Sequence, residues 1–326
     1  MPIRSDYHMH TNVSADSHTP MEDQIRAAIA AGMESICFTE HVDLDSPYLN
    51  TPAGDPESDF RIDYETYRET FLLHKIRYAG RIRLFFGLEL GLNTAYASEI
   101  RQYLSDHRDF DFIIGSTHSS RRMDPYYASF FDGVDADKAF RKYYADALDN
   151  VRTFHDFDSY GHLDYILRYG PAPADGTWIH REDASPASRA EIREAERKGW
   201  ITSSAGGSGK RWQINMESPI IRRDATYYYE KYADLIDPIL FELILHGIAL
   251  EVNTSSLRKG FPEPNPGRAI IRKYHDFGGR LITVGADAHD PGGVAWGFDT
   301  AAALLKECGF TQYATFEERR PVMHDL

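Results

Sequence analysis

Short apolar runs alternate with longer amphipathic stretches along most of this chain. Seven of the apolar runs have the length and composition of buried strands in a parallel sheet. We predict strands near residues 3–8, 35–39, 83–88, 110–115, 159–163, 248–252 and 281–285. Helical periodicity separates them, at 20–31, 64–78, 95–106, 137–154, 228–246 and 266–277, and a last helix is predicted to begin near Asp299.

The first helix has the clearest boundary signals. Thr19 is predicted as its N-cap and Pro20 as its first residue, with Glu22 completing a capping box. Gly32 is expected to end it, since glycine favours the position just past a helix.

Seven strands, each followed by a helix, indicate an α/β protein with a parallel sheet covered by helices. The regular alternation favours closure into a distorted (β/α)7 TIM-like barrel, with an open sheet as the alternative. One segment, 171–219, breaks the alternation, and its Gly-Ser run at 206–209 is predicted as a flexible loop. We therefore expect a single domain over 1–326, with an insertion at about 171–219 after the fifth strand. The insertion is expected to cap or flank the barrel or to form an oligomer contact.

Composition narrows the class of partner. The 326 residues carry a formal net charge of −14, which repels nucleic acid and anionic membranes. A small anionic substrate stays compatible with this charge if metals or a few arginines reverse its sign locally. The chain has two cysteines, no apolar leader and no apolar run of about 18 residues. We therefore expect a cytoplasmic protein that contacts neither nucleic acid nor membrane, and the oligomeric state stays open.

Histidines and carboxylates recur where the predicted strands end. A single histidine at such a position is more often structural than a metal ligand, but independent structural residues would not choose the same end of five strands. His8 and His10 are two residues apart on an extended chain, so their side chains point the same way, and Asp287 and His289 repeat this spacing. The candidate ligands are His8, His10, Asp16, His41, Glu89, His118, His162, Asp287 and His289.

Nine candidates exceed the four to six ligands that one ion takes, so the pattern predicts two or three divalent metals. Mixed nitrogen and oxygen ligands suit Zn, Mn and Fe alike. His18 lies nearby and is a competing candidate for the place of Asp16 as a ligand.

If the predicted metal cluster binds a phosphate monoester, polar residues beyond the ligands have possible roles around it. Arg168 and Arg258 follow the fifth and sixth strands and are candidates for binding phosphate, with surface ion pairs as the alternative. Asn253, at the end of the sixth strand, is a third candidate for substrate binding. Glu40 and Asp164 are predicted to orient metal-binding histidines. These two carboxylates and Asp43 are also candidates for an acidic pocket around a cationic group of the substrate.

In this order along the chain, the motifs resemble those of the PHP (polymerase and histidinol phosphatase) family. The resemblance rests on His8-x-His10, 39–41 (Thr-Glu-His), 87–89 (Gly-Leu-Glu), 115–118 (Gly-Ser-Thr-His), 161–164 (Gly-His-Leu-Asp) and 287–289 (Asp-Ala-His). It covers nearly the whole chain. Asp16 is a departure, because many members have a histidine there.

The resemblance implies a distorted (β/α)7 barrel with a trinuclear metal centre. His8, His10, Glu89 and Asp287 would hold the first metal, and Glu89 would bridge to a second, shared with His118. Asp16, His41, His162 and His289 would complete the second and third sites. Glu89, Asp287 and His289 are the residues expected to act in catalysis.

Segments such as 163–170 and 251–258 are most similar to the histidinol-phosphate phosphatases of the family. This likeness implies a phosphoric monoester hydrolase that converts L-histidinol phosphate and water to L-histidinol and phosphate in histidine biosynthesis. A phosphoesterase acting on a nucleotide or sugar phosphate is the alternative, and a non-catalytic metal-binding barrel is a third interpretation. The general acid for the leaving group is not assigned.

Overall fold

The computed structural model describes residues 2–46, 59–170, 178–180, 187–206, 209–215, 217–222 and 226–326. The strands are β1 Ser5–Asp6, β2 Ser35–Val42, β3 Arg83–Gly91, β4 Phe112–Ser116, β5 Ser159–Tyr160, β6 Trp178–His180, β7 Ile201–Gly206, β8 Gly209–Ile214, β9 Ile220–Arg222, β10 Ala249–Asn253, β11 Ile282–Gly285, β12 Gln312–Glu317 and β13 Arg320–Asp325. The helices are α1 Met21–Ala30, α2 Tyr64–Arg77, α3 Ala97–Asp106, α4 Ala136–Thr153, α5 Arg189–Arg197, α6 Thr226–His246, α7 Ser255–Arg258, α8 Arg268–Asp276 and α9 Phe298–Glu307.

Seven parallel strands form one sheet in the order β1-β2-β3-β4-β5-β10-β11. Its two edges meet, since the amide of Tyr7 donates to the carbonyl of Val284 at 3.2 Å and the amide of Asp287 donates to that of His8 at 2.7 Å. The sheet is thus nearly closed into a barrel with helices around it, and the predicted fold class is confirmed. Among the helices that the structure describes, none is both long enough and apolar enough to cross a bilayer.

Two of the barrel strands run further than their apolar runs indicate. β2 continues to Val42 and β3 to Gly91, so Glu40, His41 and Glu89 lie within strands. Their polar side chains interrupt the apolar pattern because this end of the barrel holds a polar cluster instead of a hydrophobic core.

The opposite end of the barrel is filled by a hairpin that the sequence pattern did not predict. β12 and β13 pair antiparallel after α9. Phe316 of β12 is 3% exposed, its ring centroid lies 5.2 Å from that of Phe112, and its carbonyl accepts a 3.0 Å hydrogen bond from the hydroxyl of Tyr7. In the turn, the amide of Arg319 donates to the carbonyl of Asp111, just before β4. The hairpin therefore closes the barrel where its strands begin.

The segment after β5 contains short elements with a small core of their own. β6 pairs with β9, and β7 with β8. Gly206 is opposite Gly209 in the β7–β8 register, whereas residues 207 and 208 of the predicted flexible loop lie outside the described residues. A Cβ at Gly260 would come within 2.5 Å of the carbonyl of Ile214, so this segment packs closely against the loop after β10. It therefore flanks the end of the barrel where the strands finish.

The predicted capping box of α1 is wrong. The helix begins at Met21, with Pro20 at the N-cap position and no side-chain cap. The hydroxyl of Thr19 instead donates to the carbonyl of His289 at 2.9 Å, and the Glu22 carboxylate accepts from the hydroxyl of Tyr78 at 2.8 Å. These tertiary hydrogen bonds replace the local ones and tie the start of α1 to the loop after β11 and to the end of α2. Gly32 follows the helix with φ +77°, as expected.

Candidate metal centre

Glu89 lies at the middle of a cluster of histidines at the C-terminal end of the barrel. Its side chain is fully buried on β3. Imidazole nitrogens surround both carboxylate oxygens. Oε2 lies 2.9 Å from Nε2 of His8, 3.2 Å from Nδ1 of His41 and 3.4 Å from Nε2 of His10. Oε1 lies 2.8 Å from Nε2 of His162 and 3.0 Å from Nε2 of His118. One carboxylate thus contacts five of the predicted ligands.

Two further carboxylates complete the ring. Oδ1 of Asp287 lies 3.5 Å from Nε2 of His10 and 3.6 Å from Nδ1 of His289. Oδ2 of Asp16 lies 3.0 Å from Nε2 of His289 and 3.5 Å from Nε2 of His41. His18, the competing candidate, is exposed, whereas Asp16 contacts two histidines of the cluster. The geometry therefore favours Asp16. The structure brings all nine predicted ligands together.

The donor atoms of this cluster fit divalent cations. Ligand atoms lie within 4.8 Å of one another in four overlapping groups: His10, His41 and His289; His8, Glu89 and His162; His8, His10 and Asp287; and His41, Asp43 and His118. Within the cluster, the buried atoms Asp16 Oδ1, Asp43 Oδ1 and His162 Nδ1 make no hydrogen bond to the described part of the chain. A buried polar atom without a partner costs about 1–3 kcal/mol, a cost that metal coordination would remove.

The electrostatics favour an ionised carboxylate at the centre. Burial raises the pKa of Glu89, but the positive charges of His8, His41 and His118 outweigh burial and hold that pKa well below its usual range. Burial likewise raises the pKa of Asp287, and His8, His10 and Arg168 reverse the effect. Both carboxylates are therefore available as anionic ligands at neutral pH.

The second ring nitrogen of several histidines is held by an oxygen behind the cluster. Nδ1 of His8 lies 2.5 Å from Oε1 of Glu251, and Nδ1 of His118 lies 2.8 Å from Oδ2 of Asp43. Such contacts fix the ring orientation and direct the other nitrogen at the site. Sequence analysis missed Glu251. Its position two residues before Asn253 on β10 was the available signal, because both side chains then face the barrel interior.

Glu40 and Asp164 do not orient metal-binding histidines directly. The Glu40 carboxylate accepts hydrogen bonds from the hydroxyls of Thr11 and Ser14, both at 2.6 Å, and so holds the loop after β1. Asp164 accepts from the side chain of Asn265 at 2.6 Å. Both carboxylates are buried and neither lines the cavity described below, so the predicted acidic pocket does not involve them.

The two arginines that were predicted to bind phosphate differ in burial and in hydrogen-bond partners. Arg168 is buried, and its guanidinium donates to Asn253 and Asn265 at 2.8 Å each and to Asp287 at 3.1 Å. Arg258 is part-exposed and forms a two-point ion pair with Asp290 at 2.7 and 3.0 Å. The Asn253 side chain lies behind Arg168 and Asp287 and contacts both, so it positions them instead of facing the cavity.

An open cavity of about 510 Å³ leads to the cluster, within the size range of small-ligand sites. Asp16, His41, His118, His162, Asp287 and His289 form part of its wall, as do Arg168 and Arg258. Lys259 adds a third cation that the sequence analysis did not single out. Aromatic side chains, among them Phe60, Tyr165 and Tyr169, and the carboxylates of Asp43 and Asp124 line the rest.

Comparison with known proteins places this arrangement in a family. The PHP domain model matches residues 6–255. This match covers well over half of the chain, so the protein belongs to the PHP domain family. The resemblance identified from the motifs is confirmed.

Individual relatives match over nearly their full length. A histidinol-phosphatase from Lactococcus lactis subsp. lactis is 27% identical over 315 residues, which are 95% of this chain and 93% of that protein. A crystal structure of histidinol phosphate phosphatase from the same organism, in complex with zinc, L-histidinol and phosphate, superposes with a TM-score of 0.73. It is 26% identical and covers 98% of both chains. A structure from Listeria monocytogenes, 17% identical with a TM-score of 0.63, covers 91% of this chain and 99% of its own and shows the shared fold.

Proposed function

We propose that this protein is a metal-dependent phosphatase that hydrolyses L-histidinol phosphate to L-histidinol and phosphate. The observation that carries the proposal is Glu89 in contact with five histidines at the base of a cavity lined by cations. The similarity to the Lactococcus lactis enzyme, whose crystal structure contains zinc, L-histidinol and phosphate, supports it over 98% of both chains.

Two or three divalent metals, Zn, Mn or Fe, are the proposed cofactors. Their proposed ligands are His8, His10, Asp16, His41, Glu89, His118, His162, Asp287 and His289. When bound, such metals lower the pKa of a water molecule and offset negative charge on phosphoryl oxygens. Glu89 has the position of a shared ligand, because each of its oxygens contacts a different set of histidines.

The protein side chains then have distinct tasks. Three of the five N–H donors of Arg168 are used by Asn253, Asn265 and Asp287, which fixes the guanidinium at the cavity wall. A guanidinium fixed in this way is oriented toward phosphoryl oxygens before the substrate binds, so no ordering is needed during the reaction. Arg258 and Lys259 add positive charge at the same side of the cavity. Together with bound metals, these cations would offset the carboxylates of the cavity wall and so admit an anionic substrate despite the overall charge of −14.

A cytoplasmic location is part of the proposal. Both cysteines are buried and free, as is usual in a reducing compartment. The comparisons leave the location and the oligomeric state open.

The test is phosphate release from L-histidinol phosphate by the purified protein, before and after chelation and after metal return. We expect a kcat/KM for L-histidinol phosphate at least about 10²-fold above that for 4-nitrophenyl phosphate, and loss of both activities on chelation. Equal rates on the two esters would refute the substrate assignment and favour a phosphoesterase of other specificity. No release from any ester, with two or more equivalents of metal bound, would favour a non-catalytic barrel.

A further inference from the structure

Five carboxylates line the cavity, and four of them already have a charged or imidazole partner. Asp16 and Asp287 contact histidines, Asp43 contacts His118 and Asp290 pairs with Arg258. Asp124 differs. No histidine, lysine or arginine in the described part of the chain lies within ion-pair distance of it. Among the side chains that the structure describes, Asp124 is therefore the carboxylate of the cavity wall without an ion-pair partner.

The local structure holds Asp124 in place through neutral groups. Its Oδ1 accepts from the backbone amide of Tyr126 at 2.7 Å and from the hydroxyl of Tyr165 at 3.1 Å. Oδ2 has no hydrogen-bond partner among the residues whose positions are described. Because Oδ1 accepts both hydrogen bonds, we take Oδ2 to be the oxygen that faces the cavity.

A tight turn brings this carboxylate to the cavity. Ser120 and Met123 form an antiparallel bridge, and Arg121 and Arg122 between them have φ +56° and +60°. Two successive positive φ angles are the feature of a type I′ turn, which arginine does not favour. Because non-glycine residues in this conformation cost free energy, they persist only where the surrounding structure holds them, and they cluster at functional sites.

Asp124 is separated from the predicted metal ligands by the length of one tyrosine side chain. The ring of Tyr165 lies 5.0 Å from the ring of His162 and 5.9 Å from that of His118, while its hydroxyl reaches Asp124. One tyrosine side chain therefore spans the gap between the metal ligands and this carboxylate. Tyr165 also packs against Tyr169, whose ring lies 5.9 Å from the ammonium of Lys259. The two tyrosines thus separate Asp124 from the cationic part of the wall.

We infer that Asp124 determines substrate specificity by accepting a hydrogen bond from a positively charged nitrogen at the end of the substrate away from the phosphate. This inference rests on the proposed function and identifies the residue that selects its substrate class. L-Histidinol phosphate offers two such groups, an ammonium and a protonatable imidazole. Burial raises the pKa of Asp124 to about 6, although its hydrogen bonds from Tyr126 and Tyr165 and the charge of His118 oppose the shift.

The test compares Asp124→Asn with the wild type on phosphate esters that carry a positive charge and on one that does not. Asparagine keeps the size of the side chain and an oxygen for Tyr126 and Tyr165 but removes the negative charge. We expect kcat/KM for L-histidinol phosphate to fall about 10–100-fold, mainly through KM, as is usual when a charged hydrogen bond is lost. For 4-nitrophenyl phosphate, which carries no cation, we expect less than about a twofold change.

Two analogues separate the possible sources of the positive charge. One lacks the amino group of L-histidinol phosphate, and the other, O-phosphoethanolamine, lacks the imidazole. If the ammonium is bound, Asp124→Asn impairs the second analogue and spares the first; the reverse pattern assigns the imidazole. An equal loss on all esters, or no loss on any, overturns the inference.

Controls keep this test independent of folding and of the proposed function. Asp132→Asn removes one exposed charge from the same connection between β4 and α4 and should change neither activity. Inhibition of the wild type and of Asp124→Asn by L-histidinol and by inorganic phosphate provides a second measurement, in which only inhibition by L-histidinol should weaken. If the wild type does not prefer L-histidinol phosphate, the proposed function fails, whereas a loss confined to O-phosphoethanolamine would still support the role of Asp124.

Discussion

Lys259 is the cation in the cavity wall whose charge is least compensated. Arg168 lies 3.1 Å from Asp287 and Arg258 lies 2.7 Å from Asp290, whereas no carboxylate in the described ranges comes within 4 Å of Lys259. Burial and the charges of Arg168 and Arg258 lower its pKa to about 8, although Asp287 and Asp16 oppose the shift. An ammonium in this setting gains from a bound anion, so we place it at the phosphate end of the substrate.

Replacement of Lys259 should therefore lower kcat/KM by a similar factor for every phosphate ester. Lys259→Met is expected to lower kcat/KM about 10-fold or more for both L-histidinol phosphate and 4-nitrophenyl phosphate, because a charged contact to phosphate is lost. Lys259→Arg should retain most of the activity. Lys306→Met, which removes an exposed charge from α9, is the control. A loss confined to L-histidinol phosphate would contradict this role, since it would place Lys259 at the other end of the substrate.

The same residue predicts a pH effect with a definite sign. The charged form of Lys259 binds the anion, and its fraction falls as pH rises through about 8. The wild-type kcat/KM should therefore fall over this interval, a profile that reports the free enzyme. Subtracting the profile of Lys259→Met removes the contribution of titrating metal-bound groups. An identical decline in wild type and Lys259→Met would show that another group titrates. In Lys259→Arg the decline should move to higher pH, because arginine stays charged.

At the level of elements, the hairpin β12–β13 completes the interior of the barrel. Phe316 of β12 shares one buried cluster with Tyr7, Phe85 and Phe112 inside the barrel and so supplies a packing partner for these aromatic side chains. Backbone and ion-pair contacts of Arg319 with Asp111 and Asp158 hold the turn against the strands on either side. The hairpin is therefore part of the fold rather than an appendage.

Phe316→Ala should lower the free energy of unfolding by about 3–5 kcal/mol, the usual cost of truncating a buried phenylalanine. Urea denaturation measures this change. Val322→Ala on the neighbouring strand is the matched control, because Val322 is 36% exposed and should cost less than about 0.5 kcal/mol. Activity per folded molecule should stay the same in both variants, since the hairpin lies at the end of the barrel away from the site. Equal destabilisation by the two variants would contradict the proposed packing role of Phe316 in the barrel interior.

At the scale of the whole molecule, the sequence predicts the barrel because parallel strands are buried on both faces. Such strands appear as continuous apolar runs, and each is followed here by a helical repeat. The ligands could be located for a related reason. Chemistry in these folds lies at the C-terminal strand ends, so His8, Glu89 and Asp287 were identifiable from position and residue type alone.

Features that depend on tertiary contacts were not predictable in this way. Asp124 and Lys259 lie in connections without periodicity, and only the folded chain shows that both line the cavity. Glu251 was overlooked because its role is defined by a histidine 243 residues away. The hairpin β12–β13 was missed because one of its strands is largely exposed and carries no apolar run. The domain count over 1–326 stays a prediction.

The proposed metals should also stabilise the whole barrel. Their ligands lie on or directly after β1, β2, β3, β4, β5 and β11, so bound ions link six of the seven barrel strands at one end. A ligand that binds only the folded state stabilises it by about 4 kcal/mol at a thousand times its dissociation constant. We therefore expect chelation to lower Tm by roughly 5–15 °C, as followed by calorimetry together with elemental analysis.

Glu89→Gln separates this effect from packing, because it removes the charge shared among five histidines with little change in volume. The variant should bind fewer metal equivalents, lose at least about 10²-fold in kcat and show a smaller Tm decrease on chelation than the wild type. In excess chelator its Tm should approach that of the wild type, which would show that the fold itself is intact. Glu99→Gln, an exposed change on α3, controls for loss of a negative charge. Full metal content and an undiminished chelator effect in Glu89→Gln would contradict a shared-ligand role for Glu89.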